Sequence, residues 1–280
     1  MARRIAVIGA GNMGTALLRG ILDSGLAKGA DVMASHPKLE KRNALARELK
    51  VKWTESNAEA ARFGDVIILA VKPQILEGVL DEIKPAITAK KLVLSIAAGV
   101  TTQRVEKHLG KNVPVIRAMP NVATVVKLGA TAISRGEHAN DGHVAEARSI
   151  FESVGLVVEL GEYLMDAVTG LSGTGPMYIF QIVEGLSDAG VRVGLSRDVA
   201  NALTLQTVLG AAKMAQTLKQ HPGVLKDLVT SPGGTAIAAL HSLERNGLRA
   251  VLMDAVEAAT NRSRELGQLA AQAKPTTTGR

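Results

Sequence analysis

The chain has 280 residues, of which 46% are apolar and 21% charged, and this length and composition favour two domains with their own cores. It contains no cysteine, which excludes disulfides, thiolate zinc sites and a cysteine nucleophile. The net charge of +7 comes from dispersed basic residues and aromatic residues make up only 2%, so we expect no nucleic-acid partner. No apolar run reaches roughly 18 residues, so we expect no membrane partner.

The first half of the chain alternates strand-like and helix-like segments. A strand-like run starts already at Ile5, which leaves no room for a signal peptide, so we expect a cytoplasmic protein. The strand-like runs are 5–8, 32–35, 66–71, 92–96, 113–117, 130–134 and 156–160, and the helix-like segments between them include 13–22, 38–49, 75–83 and 141–154. Such alternation predicts parallel strands joined by helical crossovers, that is, a doubly wound α/β sheet.

After residue 163 the sequence is typical of helices alone. The predicted helices are 176–193, 196–218, 223–228, 236–245 and 248–269, and Ser196 with Asp198 predicts an N-terminal cap. The stretch 200–214 is too apolar for a solvated helix, so we expect it to pack against a second copy of the chain, with burial inside its own domain as the alternative. We predict a Rossmann-type sheet domain over residues 1–162, a helical substrate-binding and dimerisation domain over 163–272, and a flexible tail over 273–280.

A glycine pattern follows the first predicted strand directly. Gly9, Gly11 and Gly14 have the spacing G-x-G-x-x-G and open a helix-like segment. The first glycine permits a tight turn, the second lets a pyrophosphate approach the backbone, and the third lets the helix pack on the strand. Amides at the helix start then hold the anion. The pattern predicts a dinucleotide-binding site.

The end of the second predicted strand indicates which dinucleotide binds. Rossmann proteins that use NAD usually carry Asp or Glu at this position, whereas this chain has Ser35, His36 and Lys38, with Asp31 a strand length away. A hydroxyl, a histidine and a lysine suit a 2′-phosphate, so we expect NADPH as the preferred cofactor, with NADH as the alternative. His36 is either a direct ligand or a plain surface histidine.

Six short motifs stand in a specific order along the chain, at residues 9–14, 70–74, 95–99, 117–121, 171–176 and 229–235. Their order resembles the pyrroline-5-carboxylate reductase family, which catalyses the last step of proline biosynthesis, and the resemblance covers about residues 4–267. It implies NAD(P)H-dependent reduction of the cyclic imine 1-pyrroline-5-carboxylate to L-proline. It also implies an active site shared between subunits, with the cofactor on one and the substrate loop from the other, in dimers that can assemble further as five dimers.

The resemblance implies cofactor contacts at the ends of several strands. The expected residues are Gly9, Gly11, Asn12, Met13, Gly14, Ser35, His36, Asn57, Ala70, Val71, Lys72, Pro73, Ala97, Ala98, Met119, Pro120 and Asn121. Two of them have simpler alternatives, because Lys72 could be a solvated lysine at a strand end and Asn121 could hold its own loop.

The segment 231–236 has the physical form of a carboxylate site. Its Pro-Gly-Gly turn exposes consecutive amides at a helix start, and Ser231 adds a hydroxyl donor. The resemblance implies substrate contacts by Val229, Ser231, Gly233, Gly234, Thr235, Ala236 and Met119, with Ser231, Thr235 and Ala236 at the catalytic position. We expect orientation of the two reactants to supply most of the acceleration of hydride transfer. We expect no metal site, since the histidines form no i, i+4 pairs.

The chain departs from the family pattern in two places. Ala236 stands where many members carry a threonine whose hydroxyl contacts the ring nitrogen, and Thr235 points about 100° away from that direction. Val122 and Ala123 replace a Thr-Pro pair beside the nicotinamide. We hypothesise that a water takes over the nitrogen contact, and a related cyclic imine acid, such as the six-membered homologue, is an alternative substrate.

Two further functions are less well supported by the sequence. A 3-hydroxyacid dehydrogenase would carry a catalytic lysine soon after a second glycine cluster, but after residues 173–180 the next lysine is Lys213. A regulator that senses NADPH without turnover would not need a second anion site at residues 231–235.

Overall fold

The computed structural model describes residues 3–110 and 112–272, with side chains up to residue 269. Packing divides the chain into two units. The sheet unit comprises the chain up to Thr174 and again from Ala258, and the helical unit is Gly175–Glu257. The expected domain boundary between residues 162 and 163 stays a prediction, because packing within one chain does not show where an independently folding domain ends. The predicted flexible tail, residues 273–280, lies outside the described residues.

Within the described residues, eight strands form a single sheet. They are β1 (Ile5–Ile8), β2 (Val32–Ser35), β3 (Lys52–Thr54), β4 (Val66–Leu69), β5 (Leu92–Ser95), β6 (Val115–Met119), β7 (Gly129–Arg135) and β8 (Gly155–Glu159). Their order is β3-β2-β1-β4-β5-β6-β7-β8, and every neighbouring pair is parallel except β6 with β7. The first six strands follow the Rossmann order, which confirms the predicted fold class.

Helices cover both faces of this sheet. The helices between strands are α1 (Asn12–Asp23), α2 (Leu39–Glu48), α3 (Asn57–Phe63), α4 (Pro73–Ile83), α5 (Thr102–Leu109) and α6 (Asp141–Glu152). All four residues of β4 are buried, because alternate side chains enter two separate apolar layers. Val66 and Ile68 pack in the layer of Leu17 on α1, whereas Ile67 and Leu69 pack in the layer of Leu76 on α4.

The expectation of uniformly parallel strands was wrong at β6 and β7. Residues 120–128 connect these strands through a 3-10 turn at Val122–Val126, and this connection is too short for the helical crossover that a parallel pair needs. The chain therefore turns back and pairs antiparallel. β7 and β8 are parallel again, because α6 provides the crossover between them.

The rest of the chain is helical. The sheet unit holds the short α7 (Met165–Val168) and a π-helical turn at Thr169–Gly173, and the following helices are α8 (Gly175–Arg192), α9 (Arg197–Leu218), α10 (Pro222–Asp227), α11 (Thr235–Arg245) and α12 (Leu248–Gln272). Ser196 is the N-cap residue of α9 as predicted, but within the described chain its side chain accepts no hydrogen bond from the helix. Asp198 places a negative charge in that first turn instead.

α9 exposes an apolar surface within this single chain. Leu203, Leu205 and Leu209 are each more than half exposed. So many large apolar side chains exposed on one helix favour contact with a partner over contact with solvent. Across the described residues, no helix has both the length and the apolar character that a membrane crossing would require.

Candidate active site

The glycine turn after β1 has three glycines with three different surroundings. Gly9 has a φ of +93°, and a Cβ added there would lie 2.6 Å from a methyl of Val71. A Cβ on Gly14 would lie 2.4 Å from the carbonyl oxygen of Gly9. At Gly11, by contrast, no heavy atom of the described residues comes within 4 Å of such a Cβ. The structure thus gives each glycine the surroundings that a pyrophosphate-binding turn requires.

The start of α1 has the features of a helix end that binds anions. Gly11 is its N-cap and has no side chain to offer the first amides, which by helix geometry lack intrahelical acceptors. The first turn carries no acidic residue, so the positive end of the helix dipole is not neutralised there. Asn12 is exposed beside these amides, and the sulfur of Met13 accepts a hydrogen bond from the Thr124 hydroxyl at 3.1 Å.

Ser35 connects the glycine turn to Asn57. Its carbonyl oxygen accepts hydrogen bonds from the amides of Gly9 and Ala10, each at 3.1 Å. Its hydroxyl donates to Oδ1 of Asn57 at 2.7 Å, and the residue is fully buried. The two residues expected near the adenosine therefore lie together. Since the Ser35 hydroxyl is already engaged with Asn57, direct contact between this hydroxyl and a phosphate stays a prediction.

A basic corner is formed by His36 and Lys38 in the turn between β2 and α2 together with Lys41 and Arg42 in the first turn of α2. Nδ1 of His36 accepts a hydrogen bond from the amide of Lys38 at 3.1 Å. Burial, and next the positive charge of Lys41, hold the pKa of His36 below its ordinary value. The lysine and arginine side chains beside His36 make this corner electropositive.

Arg42 is the residue at this corner that the sequence analysis missed. Its guanidinium donates to the carbonyl oxygens of His36 and Pro37, at 2.7 and 3.1 Å, and to a carboxylate oxygen of Glu55 at 3.2 Å. Its side chain is 13% exposed, so it is ordered before any ligand arrives. An arginine near the end of this strand is a known partner of the 2′-phosphate, and that was the available signal.

The ends of β4 and β5 contribute the next group of predicted residues. The backbone carbonyl of Ala70 lies against Gly9, and its methyl lies against Gly14. Lys72 is exposed at the N-cap of α4, and Pro73 is the first residue of that helix. After β5, Ala97 is buried and Ala98 is exposed. β1 and β4 are neighbours at the point where the strand order reverses, and ligands of open α/β sheets bind in the crevice there.

Asn121 holds its own loop and a second segment. Its Oδ1 accepts hydrogen bonds from the amides of Ala123 at 3.2 Å and Ala130 at 3.3 Å. Its Nδ2 donates to the carbonyl oxygen of Ser172 at 3.1 Å. These contacts agree with the simpler interpretation of Asn121 as a loop-holding residue, and its predicted contact with the cofactor remains a prediction.

A cavity of about 730 Å³ adjoins Pro73 and Ala98. Its lining is largely apolar, with Thr169 and Thr174 on one side and Ser263 and Leu266 of α12 on another. Met119 lies close by in the fold, since its terminal methyl packs within 2.8 Å of where a Cβ on Gly173 would stand. A small ring acid is compatible with a cavity of this size.

The predicted substrate loop lies in the helical unit and forms a turn at the start of α11. The amide of Gly234 donates to the carbonyl oxygen of Ser231 at 3.1 Å, and Gly233 has a φ of +67°. Gly234 is the N-cap of α11, so the following amides meet no side chain from the cap position. The Ser231 hydroxyl lies against Gly234, at 2.2 Å from a Cβ placed there. Val229 and Thr235 are exposed and Ala236 is half-buried.

Fold and glycine turn together define a class, the nicotinamide-dependent oxidoreductases with a Rossmann domain. Comparison with known proteins agrees: residues 4–99 match the family model "NADP oxidoreductase coenzyme F420-dependent", and residues 162–266 match "Pyrroline-5-carboxylate reductase dimerisation". The chain belongs to the pyrroline-5-carboxylate reductase family, which confirms the resemblance predicted from its motifs. The helical segment thus matches a dimerisation region, in agreement with the exposed leucines of α9.

Individual relatives support this assignment over nearly the full length. A pyrroline-5-carboxylate reductase of Methanosarcina acetivorans is 46% identical over 95% of this chain and 98% of its own. Among solved structures, the Coxiella burnetii pyrroline-5-carboxylate reductase has a TM-score of 0.90 and 38% identity, covering 95% of this chain and 99% of that one. The Plasmodium falciparum pyrroline carboxylate reductase, solved with NADP bound, has a TM-score of 0.85 and 34% identity, covering 95% and 98%.

Proposed function

We propose that this protein transfers a hydride from NADPH to 1-pyrroline-5-carboxylate and so forms L-proline. The observation that carries the proposal is the presence of two helix starts built to bind anions, one at Gly11 and one at Gly234. The first suits the pyrophosphate of a dinucleotide, and the second suits the carboxylate of a small ring acid. Family membership supports the same pairing of cofactor and substrate.

The chain's own residues act by binding and orientation. Amides at the start of α11 and the hydroxyl of Ser231 would hold the substrate carboxylate, while the apolar surroundings of Met119 and Ala98 would hold the ring. Bound NADPH supplies the hydride. Since a protonated cyclic imine accepts hydride readily, correct placement of the two reactants accounts for most of the acceleration, up to about 7–11 kcal/mol in favourable systems.

A preference for NADPH over NADH is part of the proposal. Its support is the basic corner after β2, where Arg42 is held in place and Lys38 is exposed. This corner suits a doubly charged 2′-phosphate. His36 adds a further positive charge to Lys38, Lys41 and Arg42 whenever it is protonated.

The proposed active unit is a dimer. The cofactor would be bound by one subunit and the loop at residues 229–236 would come from its partner, in dimers that can assemble further as five dimers in the cytoplasm. The exposed leucines of α9 support pairing through the helical unit. Measurement of the mass in solution distinguishes a dimer from ten subunits.

Ala236 leaves the ring nitrogen without the hydroxyl that many family members provide, and a water would occupy its place. Ala236→Thr should therefore raise the turnover of pyrroline-5-carboxylate severalfold, since a direct hydrogen bond contributes about 0.5–1.5 kcal/mol. Steady-state kinetics of both proteins checks this prediction, with Ala238→Thr, which adds the same hydroxyl farther along α11, as the matched control. An unchanged or lower turnover in Ala236→Thr would count against the water.

The function is tested by steady-state kinetics with pyrroline-5-carboxylate under NADPH and NADH. The proposal predicts loss of nicotinamide absorbance with this imine and a higher kcat/KM with NADPH. Faster reduction of the six-membered imine acid would reassign the substrate within the same class. Cofactor binding without turnover of either imine would indicate a sensor. Turnover of a 3-hydroxyacid with NADP⁺ would indicate a dehydrogenase. Either result would overturn the proposal.

A further inference from the structure

Glu162 makes contacts with two distant segments of the sheet unit. It begins the 3-10 turn Glu162–Leu164 that leads into α7. One carboxylate oxygen accepts the amide hydrogen of Thr102 at 2.8 Å, and the other accepts the Thr102 hydroxyl hydrogen at 2.7 Å. The first oxygen also lies 3.3 Å from a guanidinium nitrogen of Arg117. One side chain thus joins the start of α5, the middle of β6 and the entry to α7.

Each of these three elements continues into a segment beside the predicted nicotinamide site. Thr102 directly follows the loop at residues 96–101, which contains Ala97 and Ala98. Arg117 lies two residues before Met119 at the end of β6. The turn that Glu162 begins leads to residues 169–174, which contact Met119 and accept the hydrogen bond from Asn121. Glu162 therefore contacts or begins each of the three segments a few residues away from the part that borders the predicted nicotinamide site. A change in its contacts would alter the distances between these parts.

The charge of Glu162 matters as much as its hydrogen bonds. The side chain of Arg117 is only 6% exposed, and one of its terminal nitrogens is buried with no hydrogen-bond acceptor among the described residues. Glu162 is the carboxylate that faces this guanidinium. The same carboxylate lies at the N-terminal end of α5, where the helix dipole favours negative charge. A neutral glutamine would balance neither the charge of the Arg117 guanidinium nor the dipole of α5.

We infer that Glu162 is a positioning residue for hydride transfer: it holds the three segments that border the nicotinamide ring in register. This inference rests on the proposed function, because it concerns the distance between the hydride donor and the imine. It makes no claim that Glu162 touches either reactant. A positioning role predicts that the adenosine end of the cofactor still binds normally when Glu162 is changed, while hydride transfer slows.

The test compares Glu162→Gln with wild type and with Glu159→Gln. This control removes a carboxylate at the end of β8 that pairs with Arg135 at the end of β7. Three quantities are measured: the affinity for 2′,5′-ADP, kcat per cofactor-binding site, and the kinetic isotope effect with NADPH deuterated at C4. Counting sites by cofactor titration removes any unfolded fraction from kcat. For Glu162→Gln we expect unchanged 2′,5′-ADP affinity, a kcat about tenfold to a hundredfold lower and a larger isotope effect.

Two further variants separate positioning from charge balance. Glu162→Asp keeps the charge and should recover part of kcat. Arg117→Met combined with Glu162→Gln removes both charges, and it serves as the reporter if the single variant fails to fold. If kcat stays low and the isotope effect stays large in the double variant, the result supports positioning through Thr102. Wild-type values in Glu162→Gln or in the double variant would overturn the inference, whereas an inactive wild type would instead refute the proposed function.

Discussion

At the scale of single residues, Gly11 and Gly14 belong to one motif but differ in what surrounds them. Gly11→Val should fold as wild type does, because the added side chain enters open space. It should nevertheless lose most of its affinity for NADP⁺, because we propose that the phosphates occupy that space. Gly14→Val should lower stability by about 1–3 kcal/mol, because its Cβ meets the Gly9 carbonyl. Thermal unfolding and NADP⁺ titration of both variants check this. Equal loss of stability in the two would contradict the assignment of roles.

His36 should make cofactor selection depend on pH. Its pKa is lowered in the free protein by burial and by Lys41, so it is mainly neutral at pH 7, and a bound 2′-phosphate would raise that pKa. Binding of NADP⁺ then takes up a proton, so its affinity relative to NAD⁺ should increase as pH falls from 8 towards 6.5. His36→Gln should flatten this ratio while the phosphate's own titration remains. A ratio with the same pH dependence in both proteins would remove His36 from the site.

The sequence predicts these residues unequally well. The glycine motif specifies a backbone conformation, so its three roles follow from spacing alone. Ser35 and Asn57 are 22 positions apart, and their hydrogen bond depends on how β2 and α3 pack. Residue type also leaves open whether Asn121 faces a ligand or its own loop, and its three hydrogen bonds to backbone groups are visible only in the fold.

At the scale of elements, the turn from β2 into α2 carries the proposed cofactor preference. Arg42→Gln should weaken binding of 2′,5′-ADP by about tenfold or more, because a charge-assisted hydrogen bond contributes about 1.5–3 kcal/mol. Binding of 5′-AMP, which has no 2′-phosphate, should stay unchanged. Arg47→Gln, in the exposed last turn of the same helix, removes the same charge and serves as the control. Equal weakening of both nucleotides by Arg42→Gln would show that Arg42 only supports the fold.

Strands and helices with a strong apolar pattern were predicted closely, whereas elements without such a pattern were not. Central strands such as β1 and β4 read as continuous apolar runs because both faces are covered. β3 has three residues at the edge of the sheet and only Thr54 is buried, so no pattern could mark it. The antiparallel pairing of β6 and β7 depends on the length of their connection rather than on side-chain pattern.

In the protein as a whole, we propose that two helix starts bind anions and hold the cofactor and the substrate against each other. Gly11 and Gly234 lie in different units of the chain, and in the proposed function each unit provides one of the two anion sites. We propose that the two anion sites which meet belong to different subunits. The dimerisation region and the exposed leucines of α9 make such pairing the expected state of the protein.

Complementation between two inactive variants tests whether one active site is built from two subunits. Gly11→Val disables the cofactor turn, and Gly234→Val disables the substrate loop, because its side chain would collide with the Ser231 hydroxyl. Mixed after dissociation and reassembly, the two should regain about a quarter of wild-type activity, the share of sites that random pairing leaves intact if each site spans a dimer. If each subunit held a complete site of its own, the mixture would stay inactive, and the shared active site would be refuted.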